Sequence, residues 1–178
     1  QSRLVAIASF VLFSVAVCFA LRSVRIVAAL LGGLLASLAW TNAFAAATVG
    51  DLNQISAAFN VFIVGLGGEL GIHACMRYAE LCAGGRSRAQ ALVETGETVG
   101  GSLVSSAATT AIGFFVFLLT DFVGVGQLGL IAGTGMILSL LSTMTVVPAI
   151  LAVGHPRAPR MRAAQPPWIK RLEHLPLV

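Results

Sequence analysis

One acidic residue lies in the middle of a long apolar stretch of this chain. Between Asn60 and Met76, Glu69 is the only aspartate, glutamate, lysine or arginine. A carboxylate at the centre of a bilayer costs several kcal/mol, so such residues are usually retained for a proton or ion path or for a buried partner. We interpret Glu69 as an intramembrane proton carrier. The alternative is a protonated glutamate that hydrogen-bonds between helices for structure alone.

His73 follows Glu69 by one helical turn and therefore lies over the same helix face. Its imidazole titrates near neutral pH and could relay the proton toward the cytoplasm. The alternative is a histidine near the helix end that faces the lipid headgroups. As metal ligands the pair supplies two groups with no third in any apolar segment, so neither a metal nor another cofactor is predicted.

Other residues near Glu69 could support a proton path or close helix packing. The candidates for a polar path are Asn60, Thr109 and Thr110, although threonines also hold helices together in lipid. Small residues allow close helix approach, so we expect those around Glu69 to share its face and expect Gly67 and Gly71 there to face a neighbouring helix rather than lipid. The predicted packing glycines are Gly65, Gly67, Gly68 and Gly71, together with Gly129 and Gly133.

The composition indicates an integral membrane protein. Hydrophobic residues make up 57% of the 178 residues, charged residues only 10%, and the mean hydropathy is +0.93. A soluble domain carries about 25% charged residues. The net charge of +4 is better explained by membrane topology than by nucleic-acid binding, because the basic residues cluster in a few loops. No phosphate-binding loop or nucleophile motif occurs, so an enzyme is not predicted.

Five apolar runs predict an all-α bundle of five transmembrane helices. Each run is long enough to cross about 30 Å of hydrocarbon. They cover residues 4–21, 24–48, 54–76, 99–119 and 125–153. The loop 77–98 is predicted to form a short surface helix. Residues 1–154 are thus one membrane unit, and 155–178 are a Pro-rich cytoplasmic linker in which a helix could lie on the inner membrane surface.

The basic residues also predict the orientation of the bundle. Ten of the eleven fall in segments that follow the first, third and fifth runs, whereas the opposite side holds Asp51, Asp121 and only Arg3. The positive-inside rule assigns the basic side to the cytoplasm. The first run then enters from outside, and the chain begins at Gln1, so we expect it to be part of a longer protein.

Three motifs in order resemble the resistance–nodulation–division (RND) superfamily, in its MMPL-type branch. They are GLGGELGIH at 65–73, AATTAIGFF at 107–115 and GVGQLGLIAGTG at 124–135, the last followed by VPA at 147–149. Within this superfamily, the sequences of these motifs most resemble those of the hopanoid-associated lipid exporters. Many relatives carry aspartate and then tyrosine or phenylalanine where this chain has Glu69 and Leu70.

The resemblance implies helices two to six of the first half of a twelve-span transporter of the bacterial inner membrane. The function implied is lipid export driven by the proton-motive force, with hopanoid-like cargo. The partners implied are membrane lipids, protons, the second half and the periplasmic domains, with a homo-oligomer as a further candidate. The alternatives are a sterol-sensing-type lipid-binding domain that does not transport, and a protein-export subunit of the SecDF kind.

Overall fold

The described part of the chain folds into five helices. The computed structural model describes residues 2–21, 23–50 and 58–153, and no strand occurs in these ranges. The helices are α1 (Ser2–Leu21), α2 (Val24–Thr48), α3 (Phe59–Ala83), α4 (Arg88–Leu119) and α5 (Val123–Ala152). Helices α2 to α5 are each long and apolar enough to cross a membrane, and α1 adds 20 further residues. The predicted all-α membrane bundle is confirmed.

Helix α5 lies at the centre of the bundle and packs against α2, α3 and α4, while α1 packs on α2 and on the first turns of α3. Two apolar clusters fill the interior. One joins Ile26, Leu30, Tyr78 and Leu151, where α2 begins and α3 and α5 end. The other, around Ile63, occupies the opposite end of the bundle.

Glycines allow α5 to approach its neighbours closely. A Cβ on Gly33 of α2 would lie 2.5 Å from a methyl of Val147 on α5, and one on Gly133 would lie 2.5 Å from the ring of Phe115 on α4. Gly129 is also buried, against the backbone of α4. In lipid, where apolar burial drives helix association little, such close packing is a main source of stability.

The prediction of a separate surface helix at 77–98 is wrong. Helix α3 continues to Ala83 and α4 already begins at Arg88, so only the short turn 84–87 separates them. Hydropathy cannot locate these ends because a helix continues into water where polar side chains support it. Arg77 pairs with Glu80 at 2.9 Å, and Ser87 and Gln90 form a capping box at the start of α4.

Several predictions for the flanking segments lie outside the described residues. They concern Asp51, the start of the third predicted span at residue 54, and the linker with its surface helix at 155–178. Pro148 is described, and it lies inside α5 one turn before the end of that helix.

The orientation of the bundle can be tested by cysteine labelling. In the full-length parent protein, with Cys18, Cys75 and Cys82 replaced, we expect a membrane-impermeant thiol reagent to label a cysteine at position 51 but not one at position 86 in whole cells. The reason is the concentration of basic residues on the side of Arg86. Arg86 is exposed in the turn between α3 and α4, so a cysteine there is accessible once cells are permeabilised. Labelling of position 86 alone in intact cells would reverse the topology.

Candidate proton-binding site

Glu69 and His73 form a close pair in the middle of α3. Glu69 lies ten residues after Phe59, about 15 Å along the helix at 1.5 Å per residue. Nε2 of His73 lies 3.7 Å from Oε1 of Glu69, which is within ion-pair distance but longer than a hydrogen bond. The pair supplies only two ligand atoms, and no cluster of three or more metal-binding side chains occurs in the described ranges.

The pair points out of the bundle. The side chains of Glu69 and His73 are 62% and 64% exposed, while Leu70 and Ala74 beside them are buried against α4 and α5. Two titratable groups on the outer face of a membrane-spanning helix would meet lipid, which is costly for the charged forms. This face therefore requires a cover of protein or water that the described residues do not supply.

The expectation that Gly67 and Gly71 face neighbouring helices is confirmed, but the expectation that they do so on the face of Glu69 is wrong. A step of two residues turns a helix by about 200°, so Gly67 and Gly71 lie on the side opposite Glu69. Gly67 is buried against Ser139, and Gly71 against Leu30.

Gly68 and Gly65 lie on different sides as well. Gly68 is buried and faces the ring of Phe13 on α1. Gly65 is exposed on the side of Glu69, and a Cβ built on it would meet no described atom. Gly65 is therefore not a packing glycine within this bundle, and the glycine-rich run divides between an inner and an outer face.

A π-helical segment directly precedes this site. Residues Ile63–Gly67 form a π turn within α3, and the α-helix resumes at Gly68. π-helical segments are rare in proteins, and a large share of those that do occur lie at functional sites. The low helical propensity of Gly65, Gly67 and Gly68 agrees with a local departure from α geometry. The hydropathy pattern does not reveal this π turn. The high density of glycine between residues 65 and 71 is the one feature of the sequence that indicates a departure from α-helical geometry here.

The residues predicted for a polar path are dispersed. Asn60 lies nine residues before Glu69, about 14 Å along the axis, and its Oδ1 accepts a hydrogen bond of 2.9 Å from Nδ2 of Asn42 on α2. Thr109 is exposed and donates to the carbonyl of Ser105 in its own helix at 2.8 Å. Thr110 is half-buried on α4. The structure describes no hydrogen bond between these three residues and the Glu69–His73 pair.

An open groove leads away from His73 toward the end of α3. Its volume is about 720 Å³, and it runs between α3 and α4. Its lining includes His73, Met76, Arg77, Glu80, Gly84 and Val99. The groove thus extends from the imidazole to the ion pair of Arg77 and Glu80 near the helix end.

The bundle also contains a seam of buried hydroxyl groups that the sequence analysis missed. It consists of Ser37 and Thr41 on α2 and of Ser139, Ser142 and Thr143 on α5. Ser142 crosses the seam, since its Oγ donates to the carbonyl of Gly33 at 2.6 Å. The available signal was the spacing of small residues along α5 at positions 135, 139 and 142, which lie on one face.

Comparison with known proteins identifies two hopanoid transporters and a putative membrane protein as relatives of this chain. The hopanoid transporter HpnN of Burkholderia multivorans is 40% identical over 137 residues, and its counterpart in Rhodopseudomonas palustris is 36% identical over the same length. Both alignments cover 77% of this chain but only 16% of the relative. A putative membrane protein of Streptomyces coelicolor, SCO0839, is 29% identical over 100 residues, which is 56% of this chain and 14% of that protein.

The chain therefore spans about a sixth of the length of the curated relatives that it matches best among these. The model of the MMPL family matches residues 1–176, which include all five helices and the Glu69–His73 pair. The resemblance drawn from the three motifs is confirmed, and the chain is a multi-pass membrane protein that belongs to the MMPL family.

Proposed function

We propose that this chain is the membrane module of an RND-type lipid exporter in which the proton-motive force drives transport through Glu69. The observation that carries the proposal is the outward-facing Glu69–His73 pair. Such a pair is costly at bilayer depth unless another part of the protein or a water path covers it. The relatives are several times longer than this chain, so they contain further segments of protein for such a cover.

Proton transfer in this proposal uses the chemistry of the two side chains. Glu69 takes up a proton from the outer side, becomes neutral and can then face an apolar surface at low cost. His73 accepts the proton from the carboxyl group when the separation of 3.7 Å shortens to a hydrogen bond or one water bridges it, and the groove toward Arg77 provides a route to cytoplasmic water. Exchange between charged and neutral Glu69 changes which partner surface is favoured against α3, and this change is the mechanical step.

The cargo proposed is a hopanoid-like lipid, and the support is that the two relatives at 36–40% identity are hopanoid transporters. The second half and the periplasmic domains of the same protein would handle this cargo. The module itself supplies the proton site and the helices that move. The membrane of this proposal is the bacterial inner membrane, and the proposed role of the site is transport.

The proposal can be tested with purified full-length parent protein in proteoliposomes. With a pH gradient imposed, we expect transfer of a labelled hopanoid to an acceptor, and we expect a protonophore to stop it because the proton flux no longer does work. Liposomes that contain the protein but have no gradient are the control, and a labelled phospholipid checks the cargo class. Transfer that continues unchanged after the gradient is collapsed would contradict proton coupling.

A further inference from the structure

The hydroxyl of Ser139 has no partner in a closely packed region. Its side chain is 1% exposed, and among the described residues its Oγ is the buried side-chain oxygen or nitrogen without a hydrogen bond. In contrast, Thr41, Thr95 and Thr145 donate to the carbonyl four residues earlier in their own helices. Ser139 instead points toward α3, since a Cβ on Gly67 would lie 2.6 Å from its Oγ.

A small enclosed cavity lies beside this hydroxyl. Its volume is about 10 Å³, and it is bounded by α2, α3 and α5. A volume of about 10–15 Å³ is what one water molecule needs when two to four polar partners surround it. The polar lining consists of Ser37, Ser139 and Thr143, and the backbone of Gly33, Gly67 and Gly68 also borders the space.

We infer that this cavity is a binding site for one water molecule, which pairs with Ser139 and joins α5 to α2 beside the glycines of α3. Three hydroxyls supply the number of partners that a buried water requires. Ser37 uses its hydrogen to reach the carbonyl of Leu34 at 2.9 Å, which leaves its oxygen lone pairs free to accept from the water. A cation is disfavoured because no carboxylate lines the space to compensate its charge.

The position of this site gives the water a structural task. Gly67 is the last residue of the π segment and borders the cavity, while Glu69 lies on the opposite side of α3. The water therefore contacts the inner side of the helix segment whose outer side carries the proton site. A water-mediated contact can rearrange more easily than a close-packed methyl group, which suits a helix segment that departs from α geometry.

Radiolytic footprinting of the full-length parent protein tests this site. Brief X-ray exposure produces hydroxyl radicals from bound water, and these oxidise the nearest side chains. Leu34 lines the cavity and is 4% exposed, whereas Leu103 is 3% exposed and does not line it. The two residues are thus matched in type and burial. We expect Leu34 to be oxidised several times faster than Leu103.

The variant Ser139→Val extends the test, because two methyl groups take the place of the hydroxyl and fill the cavity. We expect oxidation of Leu34 to fall to the level of Leu103. Equal, low oxidation of both leucines in the parent would show that the cavity holds no water, and would overturn the site. Oxidation of Leu34 that persists in Ser139→Val would refute the role of Ser139. If this variant fails to fold, the comparison in the parent decides alone.

Discussion

Replacing Glu69 with glutamine in the full-length parent protein should reduce lipid export to the level of cells that lack the transporter. Glutamine has nearly the same volume and can hydrogen-bond, so folding and membrane insertion should survive. It cannot bind and release a proton near neutral pH, and a step that depends on proton exchange then stops. Export of labelled lipid, normalised to the amount of protein in the membrane, measures the effect.

Glu97→Gln is the matched control for this experiment. Glu97 is an exposed glutamate on α4 and does not line the groove that leads away from His73. The same loss of a carboxylate there should leave export and expression near the parental level. If Glu69→Gln exports lipid at the parental rate and expression level, the carboxyl group is structural and the proposed coupling is refuted.

Two further substitutions grade the effect at this site. Glu69→Asp should retain part of the export rate, since the resemblance places aspartate at this position in many relatives and the group still titrates. His73→Ala should reduce export less than Glu69→Gln does. The groove beside His73 is open, so water can accept the proton from Glu69 in place of the imidazole.

The sequence was most informative where hydropathy alone decides the structure. The bounds of α2 agree with its apolar run at 24–48, because apolar residues continue to both ends of that helix. The same criterion misplaced the end of α3 by seven residues, from Met76 to Ala83. Beyond the hydrocarbon a helix is held by capping and ion pairs, and hydropathy does not detect either.

The face of α3 that carries Glu69 could have been predicted more fully. At 100° per residue, Gly67 and Gly71 must lie opposite Glu69, so the glycines pack inward while the acid points outward. The π turn before Gly68 and the unpaired hydroxyl of Ser139 could not be derived in this way. Both depend on how three helices fit together, and a single sequence does not specify that fit.

The same fit makes Gly129 the position where one added methyl group should do most damage. A Cβ on Gly129 of α5 would lie 2.5 Å from the carbonyl oxygen of Phe114 and 2.8 Å from Cβ of Phe117. These atoms belong to the end of α4, where the α-helix gives way to the 3₁₀ turn Val116–Leu119. A carbonyl oxygen cannot rotate away as a side chain does, so α4 must move for alanine to fit.

We therefore expect Gly129→Ala to lower the thermal stability of the full-length parent protein in detergent, and to reduce the fraction that is monodisperse. Overpacking a core costs about 1–3 kcal/mol, and a backbone clash belongs at the upper end of this range. Alanine in place of glycine gains about 1 kcal/mol of helix propensity, which is too little to offset that cost.

Gly126→Ala is the matched control, since its Cβ would lie 3.9 Å from the carbonyl of Phe117, an ordinary contact. It receives the same propensity gain without the clash and should be at least as stable as the parent. Equal stability of the two variants would mean that α4 and α5 do not approach each other as closely as the bundle requires.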